Sequence, residues 1–166
     1  MTHEPAFARK LRLLLNEQRI AALGTLGADG APMVSMVPFA LAGADFVVHV
    51  SALAAHTANL VERPRVALMV VQAERPGEPV HALPRASFDA VARPLEPGSD
   101  AWKACRSSYL ERFPEAEPMT ELGDFRFMAL AAERARQVTA FGAARSIEAD
   151  DLLPLLRALR GRDAEP

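Results

Sequence analysis

An Asp-Gly turn between two short apolar segments is the feature that most restricts the fold of this chain. Residues 19–26 precede the tripeptide Ala28-Asp29-Gly30, and a segment of alternating character follows from Pro32 to about residue 41. Asp-Gly accepts the positive φ that a two-residue hairpin turn requires. The two segments are therefore predicted to be antiparallel neighbours in one sheet.

More segments with the character of β-strands follow at short intervals. These strands are predicted over residues 46–50, 65–71, about 85–94 and 124–130, with a return partner over 135–141. Helices are predicted over about 7–17, 101–112 and 148–160, and a short one after residue 50. The strand–helix repeat of a doubly wound parallel sheet is absent, so about six strands with tight turns favour an antiparallel barrel, mainly β with flanking helices. We expect one domain spanning residues 1–166.

Composition argues against several classes of function. The chain has 166 residues and a net charge of −2, which gives no basic surface for nucleic acid. No apolar run approaches the ~20 residues that span a membrane, and the N-terminus lacks the pattern of a signal peptide. Cys105 is the only cysteine, which leaves no internal disulfide and no cysteine-based zinc site. We expect a cytoplasmic protein without a metal-ligand cluster.

The segment 51–60 is the strongest local candidate for ligand binding. It carries Ser51, His56, Thr57 and Asn59 between two predicted strands. A short helix is predicted here, with Ser51 in its first turn and His56 and Asn59 on one face. A helix N-terminus beside a hydroxyl binds anions, so a phosphate-bearing cofactor is one interpretation. The alternative is that Ser51 is only an N-cap and that His56 and Asn59 form only a solvated helix face.

Phe141-Gly142 is a second candidate, because glycine lets the backbone approach a flat ring or a neighbouring subunit closely. His49, inside an apolar strand, is predicted to be a hydrogen-bonded core or interface histidine rather than a ligand. His81 follows a Pro-rich loop and is predicted to be a surface residue. Ser35 and His56 do not make a hydrolase, because no third residue is spaced to orient the base.

Four segments occur along the chain in a recognisable order and spacing. They are LGTLGADGAPMVSMVPF at 23–39, SALAAHTANL at 51–60 with RPRV at 63–66, PRASFDAVA at 84–92, and DF at 124–125 with FGAA at 141–144. Together they resemble the pyridoxamine 5'-phosphate oxidase-like, FMN-binding split-barrel proteins, and most of all their heme-utilisation branch (HugZ/HutZ type). The resemblance implies a six-stranded antiparallel split β-barrel and a homodimer with two cofactor sites at the subunit interface.

The resemblance also implies which residues hold the cofactor. Ser35 stands on the strand where an arginine of the family commonly meets the FMN phosphate, and His56 lies near the position of a phosphate-binding lysine. Arg85 opens a strand and supplies a permanent positive charge, which phosphate binding favours. The predicted cofactor-binding residues are Ser35, Val37, Pro38, Ser51, His56, Thr57, Asn59, Arg85, Phe141 and Gly142.

The function implied by the resemblance is that of an FMN-dependent oxidoreductase acting on a small molecule. The flavin itself would perform the chemistry, and no catalytic residue is assigned. The alternatives are a heme-binding or heme-degrading protein that uses the same cleft, and a flavin-binding module without turnover. Heme and FMN are both flat and apolar with an anionic end, so the same cations suit either.

Two departures from the family bear on this choice. Ser35 and Ala55 replace side chains that are usually cationic in the oxidases. The heme-degrading members use a histidine near the C-terminus as the axial ligand, whereas the histidines of this sequence are His3, His49, His56 and His81.

Overall fold

The Asp29-Gly30 turn forms as predicted and joins the first two strands of a sheet. In the computed structural model, which describes residues 4–159, Gly30 has a φ of 82° and the Gly27 N–H donates to the Ala31 carbonyl at 2.9 Å. Strands β1 (Ile20–Leu26) and β2 (Pro32–Pro38) pair antiparallel on either side of this turn.

The other elements follow in chain order. The remaining strands are β3 (Ala40–Ala42), β4 (Asp45–Ser51), β5 (Arg65–Val71), β6 (Arg85–Pro94), β7 (Phe125–Ala140) and β8 (Ala143–Glu148). The helices are α1 (Ala6–Glu17), α2 (Ala55–Glu62), α3 (Asp100–Arg112), α4 (Glu117–Thr120) and α5 (Ala149–Leu159). The strands form one curled antiparallel sheet in the order β2-β1-β5-β6-β7-β4-β3, and β8 pairs with the second half of β7.

The prediction of an antiparallel, barrel-like sheet with flanking helices is confirmed, although the described residues form eight strands rather than six. The predicted second strand divides at Phe39, which is fully buried and donates its N–H to the Arg19 carbonyl at 3.1 Å. The predicted C-terminal helix agrees with α5, and residue 160 lies outside the described residues.

The prediction of a separate return strand over residues 135–141 is wrong. Residues 135–140 continue β7, and the chain reverses only at Phe141-Gly142, where Gly142 has a φ of 76°. The register passes from Arg134 opposite Asp89 to Ala132 opposite Ala90, so that Glu133 is an extra residue in β7. Such a β-bulge interrupts the alternation of buried and exposed residues without ending the strand, which explains the incorrect prediction.

The main core fills the inner side of the curled sheet. Phe46 packs between Phe39 and Phe88, with ring centroids 5.5 and 4.7 Å apart. Helices α1 and α5 cover the same core with leucine stripes at helical spacing: Leu11, Leu14 and Leu15 from α1, and Leu152, Leu156 and Leu159 from α5.

A second apolar cluster lies between helix α3 and strands β3, β4 and β7. His49 projects into this region and is only 9% exposed. Its ring lies 5.1 Å from that of Phe125, 4.4 Å from that of Phe127 and 5.8 Å from that of Tyr109, measured between centroids. Burial lowers the pKa of His49 from 6.5 to about 4, so its imidazole is neutral at neutral pH. Its Nδ1 has no hydrogen-bond partner among the described residues.

The buried imidazole makes folding sensitive to acid. The unfolded chain binds a proton at His49 near pH 6.5, whereas the folded chain does so only near pH 4, so stability is lost as pH falls through this window. Between pH 7 and pH 5 this site lowers the free energy of unfolding by about 2 kcal/mol. The variant His49→Phe should lose about 2 kcal/mol less unfolding free energy between pH 7 and pH 5 than the unmodified protein. Urea unfolding at both pH values measures this difference.

Tyr109→Phe is the control within the same cluster. Burial, together with the charge of Glu115, raises the pKa of Tyr109 to about 12, so its hydroxyl does not titrate between pH 5 and pH 7. This variant should keep the acid-induced loss of the unmodified protein. An equal acid-induced loss of stability in His49→Phe would contradict the assignment of this loss to His49.

Candidate functional site

Ser51 ends strand β4, and its predicted position in the first turn of a helix is wrong. Helix α2 begins at Ala55, with Ala54 as N-cap and no side-chain cap, so Ser51 is not the N-cap either. The Ala52 N–H donates to the Asp124 carbonyl at 2.6 Å, which extends the β4–β7 pairing one residue past Ser51. The helix therefore begins after this pairing ends, at Ala55. The strand end and the helix are joined instead by the Thr57 hydroxyl, which donates to the Ser51 carbonyl at 2.6 Å.

His56 and Ser35 form a hydrogen-bonded pair between α2 and β2. The distance from His56 Nδ1 to Ser35 Oγ is 3.1 Å. Ser35 lies opposite the buried Leu23 and therefore faces the inner side of the sheet. Burial lowers the pKa of His56, which favours the uncharged imidazole at neutral pH. The pair thus presents a hydroxyl and a neutral ring where the resemblance places two cations.

Thr57 and Asn59 lie inside the protein. Asn59 Nδ2 donates to Thr25 Oγ1 at 3.0 Å and lies 3.8 Å from Met33 Sδ, so the side chain fastens α2 to the β1–β2 hairpin. Both residues are buried, which corrects the interpretation of Asn59 as part of a solvated helix face. Their role as cofactor contacts remains a prediction.

Two further predicted contacts lie at the end of β2. Val37 is buried in the main core, so only its backbone can reach a ligand. Pro38 is half-buried and pairs with Ile20 at the edge of the sheet.

Arg85, Phe141 and Gly142 come together in a groove on the outer face of the sheet. The groove has a volume of about 470 Å³, within the range of small-molecule sites. Arg85 Nη1 donates to the Leu83 carbonyl at 3.1 Å. Phe141 is 83% exposed at the β7–β8 turn. The complete lining is His81, Arg85, Ser87, Arg136, Val138, Ala140, Phe141, Gly142, Ala143 and Ala144.

Sequence analysis missed Arg136 and assigned no ligand role to His81. Arg136 lies opposite Ser87 in the β6–β7 pairing, so it projects from the same face as Arg85. The bulge at Glu133 decides which face Arg136 occupies, and no sequence signal located that bulge. His81 reaches the groove because the Gln72 N–H donates to the Pro84 carbonyl at 2.9 Å and closes the Pro-rich loop.

The groove continues into a flat apolar surface, which we call the outer apolar face. It comprises the exposed side chains Val34, Met36, Met69 and Val71 on strands β2 and β5, with Ala22 and Gly24 between them on β1. The small residues at the centre leave the surface without a ridge. One cross-strand row joins the two regions through Met36, Ala22, Met69, Ser87 and Arg136.

The predicted site residues therefore form two groups on opposite sides of the sheet. Ser35 and His56 lie on the inner side, whereas Arg85 and Phe141 line the outer groove. Within one protomer the groove lining includes neither Ser35 nor His56. A ligand confined to this groove therefore does not contact Ser35 or His56 of the same protomer.

Residues 4–159 contain no group of three or more histidine, cysteine or carboxylate side chains placed to hold a metal ion. No helix in this part of the chain is long and apolar enough to cross a membrane.

The curled antiparallel sheet with a groove on its outer face defines a split-barrel protein. The chain belongs to the pyridoxamine 5'-phosphate oxidase family, whose sequence profile matches residues 7–139. Heme oxygenase HutZ from Vibrio cholerae is 32% identical over 146 residues, which cover 87% of this chain and 83% of HutZ. The predicted resemblance to the family and to its heme-utilisation branch is thereby confirmed.

Solved structures agree with this assignment. The crystal structure of Vibrio cholerae HutZ, described as a heme storage protein, matches with a TM-score of 0.72 at 30% identity over 76% of this chain and 90% of that one. A heme-binding protein from Mycobacterium smegmatis matches with a TM-score of 0.82 at 27% identity and covers 92% of this chain. Campylobacter jejuni ChuZ, at 20% identity and a TM-score of 0.80, shows the shared fold. This chain spans 62% of the mycobacterial protein and 63% of ChuZ.

The buried Asn59 bridge is expected to stabilise the fold around α2. The variant Asn59→Ala leaves Thr25 Oγ1 without this donor and should lower the free energy of unfolding by about 1–3 kcal/mol. Chemical denaturation measures the change. Glu62→Gln, an exposed substitution on the same helix, is the control and should change stability by less than about 0.5 kcal/mol. Equal stabilities for the two variants would exclude a structural role for the bridge.

Proposed function

We propose that this chain is a heme-binding protein that holds its ligand against the outer face of the sheet. The observation that carries the proposal is the continuity of the outer apolar face with a groove that contains two arginines. Heme is a flat apolar ring with two carboxylates at one edge. A flat apolar surface bounded by guanidinium groups is complementary to that distribution of polarity.

The arrangement of the groove supports carboxylate recognition in particular. Arg85 and Arg136 belong to adjacent strands and project from the same face, since Arg85 lies opposite Val138 and Ser87 lies opposite Arg136. Each guanidinium has a planar fork of donors that matches a carboxylate. The exposed ring of Phe141 adds a flat apolar contact beside them.

The inner-side residues fit FMN less well. A phosphate needs permanent cations, but Ser35 and His56 are hydrogen-bonded to each other and the pKa of His56 is lowered. Ser51, at the end of β4, donates its hydroxyl to Asp124 Oδ2 at 3.5 Å, so its proton is already directed to a carboxylate, which would repel a phosphate. An FMN-dependent oxidoreductase remains the implication of family membership alone. The names of the relatives, heme oxygenase and heme storage protein, favour heme.

We also propose that the chain forms a homodimer through the outer apolar face. Val34 is 72% exposed and Met36 is 64% exposed, on the same surface as Met69 and Val71. Contiguous apolar surfaces of this kind usually mark an interaction site. A second copy packed here would cover the apolar ring of a bound ligand.

Ferric heme titration tests the binding proposal. We expect the unmodified protein to bind ferric heme with an intense Soret absorbance. The variants Arg85→Ala and Arg136→Ala should each weaken this binding by about 10- to 100-fold, because each loses a charge-assisted contact. Arg134→Ala is the matched control, since Arg134 is an exposed arginine on the same strand that pairs with Asp89 and is not part of the groove.

The titration has two outcomes that would contradict the proposal. Equal affinities for all three arginine variants and the unmodified protein would exclude the groove as the carboxylate site. FMN released from the purified protein on denaturation, in place of heme uptake, would favour the oxidoreductase instead.

Sedimentation of a charged variant tests the dimer. Met36→Asp places a carboxylate on the outer apolar face, where its burial in an interface is costly. We expect the unmodified protein to sediment as a dimer and Met36→Asp as a monomer. Leu13→Asp, at an exposed apolar position on α1, should remain dimeric. A monomeric unmodified protein at micromolar concentration would argue against the interface.

A further inference from the structure

We propose that His81 is the axial donor to the iron of a ferric heme bound in the outer groove, an inference that rests on the proposed function. His81 is the histidine that lines the same groove as Arg85 and Arg136. A ligand whose carboxylates contact these arginines therefore lies on the surface to which the imidazole belongs. Imidazole is a common axial donor to heme iron.

The backbone that carries His81 is fastened to the groove. His81 lies in a 3₁₀ turn (Val80–Ala82), whose Ala82 N–H donates to the Pro79 carbonyl at 3.0 Å. The His81 carbonyl accepts a hydrogen bond of 3.5 Å from Arg85 Nη1. The Arg85 guanidinium, which would bind a carboxylate of the heme, therefore also holds the backbone of His81. The side chain itself is exposed.

The other imidazole, thiol and phenol donors of the described residues are buried or lie away from the groove. His49 is stacked among aromatic rings in the second apolar cluster. The Nδ1 of His56 is bonded to Ser35 on the inner side of the sheet. Cys105 and Tyr109 are on the buried side of helix α3, and burial raises the pKa of Tyr109 to about 12, which disfavours its phenolate.

Two methionines of the outer apolar face, Met36 and Met69, remain as competitors. Met69 lies opposite Ser87 on β6 and is two strands from Arg136 on β7, whereas Met36 lies farther away on β2. A thioether is a soft ligand, whereas imidazole suits iron. Met69 is better explained as part of the outer apolar face, against which the ring of the ligand would pack.

Paired titrations with ferric heme and metal-free protoporphyrin IX isolate the axial bond. The two compounds share the ring and carboxylates, but only ferric heme has an iron to accept a donor. We expect His81→Ala to weaken binding of ferric heme by about tenfold or more and to shift its Soret band, because the iron loses a ligand. Binding of protoporphyrin IX, followed by its fluorescence, should change less than about twofold.

Two control variants and a rescue make the assignment specific. Met69→Leu keeps the apolar surface and should leave the position of the Soret band unchanged, as should His56→Ala on the inner side. Free imidazole added to the complex of ferric heme with His81→Gly should restore the band position of the unmodified protein. A merely structural role of His81 would not be rescued by imidazole.

The outcomes separate this inference from the proposed function. Ferric heme bound by His81→Ala with an unchanged band and affinity would overturn the assignment of His81 and leave heme binding intact. Equal losses of affinity for ferric heme and for protoporphyrin IX in His81→Ala would also overturn the assignment of His81, because His81 would then act on the shape of the groove. Failure of the unmodified protein to bind either compound would overturn the heme proposal and this inference together.

Discussion

Strand β7 determines which parts of the sheet are covered and which are open. Residues 127–130 are buried one after another, because alternate side chains enter the main core and the cluster beneath helix α3. Beyond the bulge at Glu133, burial alternates again: Ala135 and Gln137 are buried, whereas Arg136 between them is exposed. The first half of the strand therefore has a helix on its outer side, and the second half leaves that side open. The groove lies at this open part.

Local turn chemistry and alternation were sufficient to predict most of the sheet. The hairpin at Asp29-Gly30 and the limits of β5 and β6 follow from them, because each strand there starts and stops at a turn or a loop. The errors in the strands share one cause, since the strand pattern is interrupted at Phe39 and Glu133 without a turn that reverses the chain. Whether the chain continues in such a place depends on pairing with distant strands, which a local pattern does not contain.

The candidate site, like the sheet, was predictable only where its residues stand out locally in the sequence. Arg85 and Phe141-Gly142 stand out locally, as a charge that opens an apolar strand and a glycine after an aromatic residue, and the structure brings them into one groove. Arg136 does not stand out, because its side of the sheet is decided by the bulge. The hydrogen bond between Ser35 and His56 joins residues 21 positions apart, and it depends on the packing of α2 beside β2, which a local pattern does not show.

The distribution of charge across the sheet favours the outer groove for an anionic ligand. On the inner side, the Ser35–His56 pair is neutral, and a phosphate placed there would lose hydration without gaining a permanent cation. On the outer side, Arg85 Nη1 donates to the His81 and Leu83 carbonyls. These bonds use two of the five N–H donors of the guanidinium, so the side chain can hold the loop and still bind a carboxylate. The apolar ring of such a ligand would remain exposed on one protomer, because the outer apolar face is open. Covering it requires another apolar surface. The same face of a second copy offers such a surface, so ligand binding and dimerisation should stabilise each other.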